Sequence, residues 1–171
     1  DGMLIVACVG GGIEGFKRNK NVIQAVQKLR EETSKNVKLL VSAGPQETPE
    51  KYSELEDMVK NDKSIILTRY NPDLMAYVKA ADLTVCMAGI STFAEVMETS
   101  ADAVFLPLAN NEQDKRIVNL AKIGKTVYLA EQNLNNESLY EFLKLALRTK
   151  NENYDVNTSG KECIERFLSE I

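Results

Sequence analysis

Short apolar runs rich in β-branched residues alternate with segments of helical periodicity about six times along the chain. The predicted strands are 3–9, 37–41, 65–67, 83–86, 103–106 and 126–129. The predicted helices are 21–32, 49–60, 72–80, 92–98, 112–123 and 136–148. This alternation indicates right-handed βαβ units. The predicted fold class is therefore α/β, a Rossmann-like parallel sheet of about six strands flanked by helices.

Residues 1–150 are predicted to form one domain with its own core. The polar, aperiodic segment 151–159 is a predicted linker. Residues 160–171 are a predicted amphipathic helix that caps this domain or packs on another one. The chain enters a core strand directly after Asp1 and Gly2, which is typical of a piece cut from a longer protein.

Composition excludes several classes of function. The formal net charge is −4, aromatic residues make up 6% and Trp is absent, so neither a basic field nor a stacking platform for nucleic acid is predicted. No apolar run has the length of a membrane span. The absence of His removes the commonest general base and the usual zinc ligand. No metal site is predicted.

The three cysteines are Cys8, Cys86 and Cys163. They are far apart in the chain, and two of them lie in apolar strand patterns. This usage predicts reduced, buried thiols and a cytoplasmic protein.

The segment 86–95 carries the strongest functional signal. A predicted strand runs into a turn that ends at Gly89, Ser91 and Thr92 open a predicted helix, and Glu95 follows one turn later. Free backbone N–H groups at a helix start, beside the positive end of the helix dipole, suit a phosphate. The plainer alternative is a capping box with Thr92 as N-cap and Glu95 at N3.

Gly10, Gly12 and Gly15 match the pattern G-x-G-x-x-G after a strand. A dinucleotide site also needs an acidic residue at the end of the second strand, where this chain has residues 41–44 without one. The predicted helix also starts too late for a tight dinucleotide turn. Two alternatives remain: a plain βα turn, or a glycine loop that lets a diphosphate or an acceptor approach the backbone.

Two weaker signals consist of polar side chains. Glu112 and Gln113 open a predicted helix, where an acidic residue suits the dipole and where both side chains could accept hydrogen bonds from sugar hydroxyls. Lys17, Arg18 and Lys20 form a basic cluster beside the glycine loop. The cluster is either part of a solvated loop or a set of positive charges that screens the negative charge of a lipid diphosphate or of a membrane surface.

Taken in order, these segments resemble a known family. The segments are 11–15, 70–74, 87–95, Pro107 and the pair Glu112-Gln113. Over about residues 3–149 the chain resembles the C-terminal half of MurG-like glycosyltransferases, which form glycosyltransferase family 28 and have the GT-B fold. That half binds the nucleotide-sugar donor, typically UDP-N-acetylglucosamine.

The resemblance implies a role for each matching segment. Gly89–Thr92 would hold the diphosphate, Glu95 the ribose hydroxyls, Tyr70 and Asn71 the uracil, and Glu112 and Gln113 the sugar. The residues assigned to the donor, with the glycine loop included, are Gly11, Gly12, Tyr70, Asn71, Gly89, Ile90, Ser91, Thr92, Glu95, Glu112 and Gln113. The catalytic base and the acceptor site would belong to an N-terminal domain.

Four positions depart from the family pattern. Met87 stands where some relatives have Arg near the phosphates, Ile13 where a small hydroxyl residue is common, and Arg116 where Asn is common. Residues 99–102 replace a Gly-x-Pro turn. These departures leave the identity of the sugar and of the nucleotide open.

The resulting hypothesis is the donor-binding domain of an inverting glycosyltransferase that uses a UDP-sugar and neither a cofactor nor a metal. Its acceptor would be a lipid or glycan, with peripheral contact to the inner face of a membrane. One alternative is a UDP-sugar hydrolase or epimerase of the same fold. Another is a non-catalytic donor-binding subunit that docks on a membrane partner.

Overall fold

The computed structural model describes residues 2–9, 15–33, 36–109, 111–122 and 127–148, with the isolated positions 165 and 169. Within these residues six parallel strands form one sheet. They are β1 Gly2–Cys8, β2 Asn36–Ser42, β3 Ile65–Thr68, β4 Leu83–Cys86, β5 Ala103–Phe105 and β6 Val127–Tyr128. Their order in the sheet is β3-β2-β1-β4-β5-β6, which confirms the predicted Rossmann-like fold class.

The strands are connected by helices. These are α1 Gly15–Thr33, α2 Pro49–Val59, α3 Leu74–Ala80, α4 Ile90–Thr99, α5 Asn111–Lys122 and α6 Asn136–Ala146, with a 3₁₀ turn at Glu131–Asn133. The start of α2 follows the sequence closely, because Pro49 lies in its first turn and the Thr48 side chain accepts a hydrogen bond from the Lys51 N–H.

The core lies on both faces of the sheet, and the strands supply alternate residues to each face. From β1, Ile5 and Ala7 pack with α1, α2 and α6 on one side. Val6 and Cys8 pack with α3, α4 and α5 on the other. Both faces of a parallel sheet are covered in this way, which is why its strands read as continuous apolar runs.

Helix α1 begins six residues earlier than the sequence predicts, at Gly15 rather than at 21. The prediction was wrong because residues 17–21 are polar, so that an apolar period is visible only from Val22. Arg18 and Asn19 are nevertheless buried against the core. The position of the helix start therefore gives no argument against a dinucleotide site, whereas the missing acidic residue at the end of β2 still does.

The predicted basic cluster does not form a solvated loop. Lys17, Arg18 and Lys20 all lie on α1, and only Lys17 of the three is exposed. The Arg18 side chain is 3% exposed, and its Nη2 lies 2.7 Å from Glu131 Oε1. Lys20 Nζ lies 2.6 Å from Glu54 Oε1. Arg18 is therefore part of the framework rather than of a surface charge patch.

Cys8 and Cys86 are free and buried, as predicted, and they are neighbours in β1 and β4. Burial raises the pKa of the Cys86 thiol well above its usual range. Cys163, the predicted linker at 151–159 and most of the predicted helix at 160–171 lie outside the described residues. Their assignment stays a prediction.

Within the described part of the chain, no helix is long and apolar enough to cross a membrane. The same residues contain no group of three or more acidic or cysteine side chains arranged to hold a metal ion.

Candidate functional site

A cleft of about 160 Å³ opens at the carboxyl ends of the strands. It lies where β1 is followed on one side by β2 and β3 and on the other by β4, the position at which open α/β sheets bind their ligands. Its walls come from the ends of β1 and β2, from the segment after β3 and from the first turn of α4. The lining residues are Cys8, Ser42, Gly44, Pro45, Tyr70, Asn71, Leu74 and Thr92.

Helix α4 begins two residues earlier than predicted. Its N-cap is Gly89, with φ −58° and ψ 148°, and no side chain caps it. The Gly89 carbonyl accepts a hydrogen bond from the Phe93 N–H at 2.8 Å. Thr92 already has helical geometry, so the alternative of a capping box with Thr92 as N-cap and Glu95 at N3 is wrong. The N–H groups of Ile90, Ser91 and Thr92 are first-turn donors, which have no partner inside the helix itself.

The first turn of α4 contributes the Thr92 side chain to the lining of the cleft. Ser91 is exposed, Ile90 is 70% exposed, and Thr92 is half-buried in the wall of the cleft. Glu95 lies one turn later, where residues three apart share a helix face, and is half-buried. Its carboxylate has no hydrogen-bond or ion-pair partner among the described residues. The start of α4 thus combines backbone N–H donors with a carboxylate that has no partner among the described residues.

Tyr70 and Asn71 form the opposite side of the cleft. Tyr70 is 69% exposed. The predicted helix start at Asn71-Pro72 is wrong, because the Asn71 side chain accepts a hydrogen bond from the Asp73 N–H at 2.9 Å and makes a local turn. Helix α3 begins only at Leu74. The turn presents Tyr70 and Asn71 to the cleft, within reach of the same ligand as Thr92.

Glu112 and Gln113 lie in the first turn of α5, as predicted, but protein groups hold both side chains. The Glu112 carboxylate accepts a hydrogen bond from Arg116 Nη2, although 76% of the Glu112 side chain is exposed. Gln113 Oε1 accepts a hydrogen bond from the Leu108 N–H at 3.0 Å. Gln113 thereby fixes the loop that follows β5.

The loop after β5 has a second support, which the sequence did not indicate. Glu131 Oε2 accepts a hydrogen bond from the Ala109 N–H at 2.6 Å, while Glu131 Oε1 pairs with the buried Arg18. The Ala109 N–H, assisted by the Arg18 guanidinium, lowers the pKa of the Glu131 carboxyl. The carboxylate therefore stays ionised and ties α1 to the loop next to α5.

Arg116 is the contact that sequence reasoning missed. Its Nη1 donates a hydrogen bond to the Ala88 carbonyl, in the loop between β4 and α4, and its guanidinium lies 5.6 Å from the centre of the Phe93 ring. The sequence showed Arg116 only as a departure from a family pattern. Its position is a tertiary contact between residues 28 apart, which no local pattern reveals.

Two predicted donor residues, Gly11 and Gly12, lie outside the described residues together with Ile13. A second cleft, of about 170 Å³, lies at the amino ends of the strands, between the last turns of α1 and α6. Its lining includes Met3, Val37 and Lys144 but none of the predicted donor residues.

The model of the glycosyltransferase family 28 C-terminal domain matches residues 6–167. The chain belongs to this family. The match runs from within β1 to beyond α6 and includes the first turns of α4 and α5, so the family 28 domain contains every described residue that the sequence assigned to a donor site. The resemblance to MurG-like proteins is thereby confirmed.

Curated relatives of this family 28 domain share one name, UDP-N-acetylglucosamine--N-acetylmuramyl-(pentapeptide) pyrophosphoryl-undecaprenol N-acetylglucosamine transferase. The protein from Thermoanaerobacter sp. (strain X514) is 25% identical over 151 residues, which cover 84% of this chain and 39% of the relative. The protein from Caldicellulosiruptor saccharolyticus is 27% identical over 153 residues, which cover 86% of this chain and 40% of the relative. The chain thus spans about 40% of their length.

Solved structures confirm the fold of the family 28 domain. MurG of Acinetobacter baumannii matches with a TM-score of 0.81 at 17% identity, over 100% of this chain and 50% of MurG. The UDP-GlcNAc 2-epimerase of Methanocaldococcus jannaschii matches with a TM-score of 0.65 at 19% identity, over 100% of this chain and 46% of that one. The solution structure of ALG13 matches with a TM-score of 0.64 at 15% identity, over 99% of this chain and 96% of that one.

Proposed function

We propose that this family 28 domain binds the donor of an inverting glycosyltransferase that transfers a sugar from a UDP-sugar to a lipid or glycan acceptor. The sugar we propose is N-acetylglucosamine or a related hexose. The observation that carries the proposal is the first turn of α4, where backbone N–H donors and Thr92 meet the cleft that Tyr70 and Asn71 line. The half-buried Glu95, without a partner among the described residues, follows one helical turn after Thr92. The names of the curated relatives support the choice of donor.

In the proposed complex the nucleoside lies in the cleft and the diphosphate lies over the N-terminus of α4. The Glu95 carboxylate accepts hydrogen bonds from the two ribose hydroxyls, and the turn at Tyr70 and Asn71 contacts the base. Glu112 and Gln113 lie next to β4 and α4 on the β5 side, where the sugar would extend. The donor thus spans the three segments that the fold places at one edge of the sheet.

The chemical contribution of this domain is to stabilise the leaving group. Negative charge develops on the diphosphate as its bond to the sugar breaks. In the proposed complex, preorganised N–H groups and the positive end of the α4 dipole would lie where that charge forms. We propose that the base and the acceptor site come from another domain or subunit, since the chain spans about 40% of the length of its curated relatives.

The proposal is tested by calorimetric titration of the chain with UDP, TDP, GDP and ADP. We expect binding of UDP, and a loss of about tenfold or more in its affinity on Glu95→Ala, since a carboxylate that accepts hydrogen bonds from hydroxyls contributes about 1.5–3 kcal/mol. Glu98→Ala is the matched control, because Glu98 lies on the same helix and is exposed.

Two outcomes would contradict the proposal. One is the absence of binding of any of the four nucleotides at millimolar concentration. The other is an equal affinity for UDP in the Glu95→Ala variant, the Glu98→Ala variant and the parent chain, which would place the ribose elsewhere.

The UDP-GlcNAc 2-epimerase has the same fold, so an epimerase or hydrolase of a UDP-sugar is the second candidate. A donor-binding subunit that docks on a membrane partner is the third, and the match to ALG13 over nearly its whole length is the observation that favours it. Incubation with UDP-N-acetylglucosamine separates the second candidate from the other two. An epimerase or hydrolase changes the sugar without any acceptor, whereas a transferase or a binding subunit leaves it unchanged.

A further inference from the structure

The Arg116 side chain connects two segments that the proposed function assigns to the donor. Its Nη2 donates a hydrogen bond to Glu112, one turn earlier in α5, and its Nη1 donates one to the Ala88 carbonyl. Ala88 is fully buried and immediately precedes Gly89, the N-cap of α4. The guanidinium thus lies beside the start of the helix on which the diphosphate is proposed to bind.

The start of α4 lacks charge of its own. Its first turn contains no acidic residue, and Met87 in the preceding loop is neutral and buried. A helix dipole supplies about half a positive charge, which is less than a nucleoside diphosphate carries. A diphosphate at this position therefore needs a cation close by, and Arg116 lies next to the loop.

The environment of Arg116 suits such a role. Its side chain is only 17% exposed, so a charge there is screened less than on the open surface. The contact with the Phe93 ring and the hydrogen bond to the Ala88 carbonyl restrict its position. A guanidinium has N–H donors beyond the two that make the bonds to Ala88 and Glu112, and its planar shape matches a phosphate.

Glu112 is the exposed half of the pair. Its side chain is 76% exposed, so the Glu112 carboxylate loses little packing when it turns away from Arg116. The ion pair is open to solvent on the Glu112 side, so water weakens the attraction between the two groups. A phosphate, with its larger charge and several acceptor oxygens, competes well for the same guanidinium.

We infer that Arg116 binds the phosphate next to the sugar and that Glu112 then exchanges from Arg116 to the sugar hydroxyls. This inference rests on the proposed function and specifies which side chain supplies positive charge to the diphosphate site. Arg116 supplies the positive charge that Met87 does not. In the empty chain the ion pair with Glu112 keeps the guanidinium at the phosphate position.

The test compares UDP with uridine in calorimetric titrations of the parent chain and of Arg116→Gln. We expect the affinity for UDP to fall about tenfold, as for the loss of one hydrogen bond to a charged group, and the affinity for uridine to stay within about twofold. Arg116→Lys should keep part of the affinity for UDP, because it keeps the charge. Arg30→Gln is the matched control, since Arg30 forms an ion pair with Asp62 away from the cleft.

Each outcome decides a different claim. Equal losses for UDP and uridine in Arg116→Gln would make Arg116 a support of the loop only, and unchanged affinity for UDP would remove it from the site. Either result overturns the inference and leaves the proposed function standing. If the parent chain binds neither UDP nor uridine, the proposed function is wrong and the inference fails with it.

Discussion

Gly89→Val is expected to remove binding of UDP while the chain keeps its fold. The backbone of Gly89, with φ −58° and ψ 148°, is one that valine adopts readily, and a Cβ there meets no atom within 4 Å. The open space is the place that the proposed diphosphate occupies, so a branched side chain would exclude it. We expect the affinity for UDP to fall about a hundredfold or more and stability to change by about 1 kcal/mol or less, as for an unfavourable N-cap residue.

The measurement pairs calorimetric titration of UDP with urea unfolding followed by circular dichroism, since the chain lacks Trp. Gly2→Val is the matched control at the opposite edge of the sheet, where a Cβ would lie 3.5 Å from the Asn36 carbonyl oxygen, an ordinary contact. Unchanged affinity for UDP in Gly89→Val would show that the diphosphate does not approach the start of α4.

Phe105→Ala is expected to have the largest effect on stability. Phe105 is fully buried in β5, and its ring centre lies 5.8 Å from that of Phe93 in α4. Removing a buried Phe side chain leaves a cavity and costs about 3–5 kcal/mol. This is a large part of the stability of a typical domain, about 5–15 kcal/mol. Because Phe93 also contacts Arg116, the cavity would loosen the side of α4 that faces the proposed sugar site.

Urea unfolding measures this loss as a fall in the free energy of unfolding. The control is Ile66→Ala, which also shortens an apolar side chain on a strand, but at a position 59% exposed. We expect Ile66→Ala to cost about 1 kcal/mol or less. A cost below about 1 kcal/mol for Phe105→Ala would show that β5 and α4 are not packed as described.

The sheet could be predicted from the sequence because each of its strands leaves a strong local signal. Strand β4, buried at all four positions, was predicted with its exact bounds, Leu83–Cys86. The starts of the helices left a weaker signal in the sequence. The start of α1 was misplaced because its first residues are polar although the fold buries two of them. The start of α3 was misplaced because Asn71 makes a local turn, and that of α4 because its N-cap is a glycine.

The site was predicted only in part, for a physical reason. Parallel strands bring the residues after their carboxyl ends to one edge, so the meeting of Tyr70, Asn71 and Thr92 followed from the order of elements. The contact of Arg116 with Ala88 depends on how α5 packs against α4, and the tie between Arg18 and Glu131 joins residues 113 apart. Such contacts are set by packing and have no local signature.

The central claim is that the carboxyl edge of the sheet, at the start of α4, binds a nucleoside diphosphate. The most direct measurement is titration of the ¹⁵N-labelled chain with UDP, followed by the backbone amide signals in two-dimensional NMR spectra. The largest shifts are expected at Ile90, Ser91 and Thr92, with further shifts at Tyr70 and Asn71. Shifts confined to the cleft at the opposite edge, or no shifts at millimolar UDP, would contradict the account.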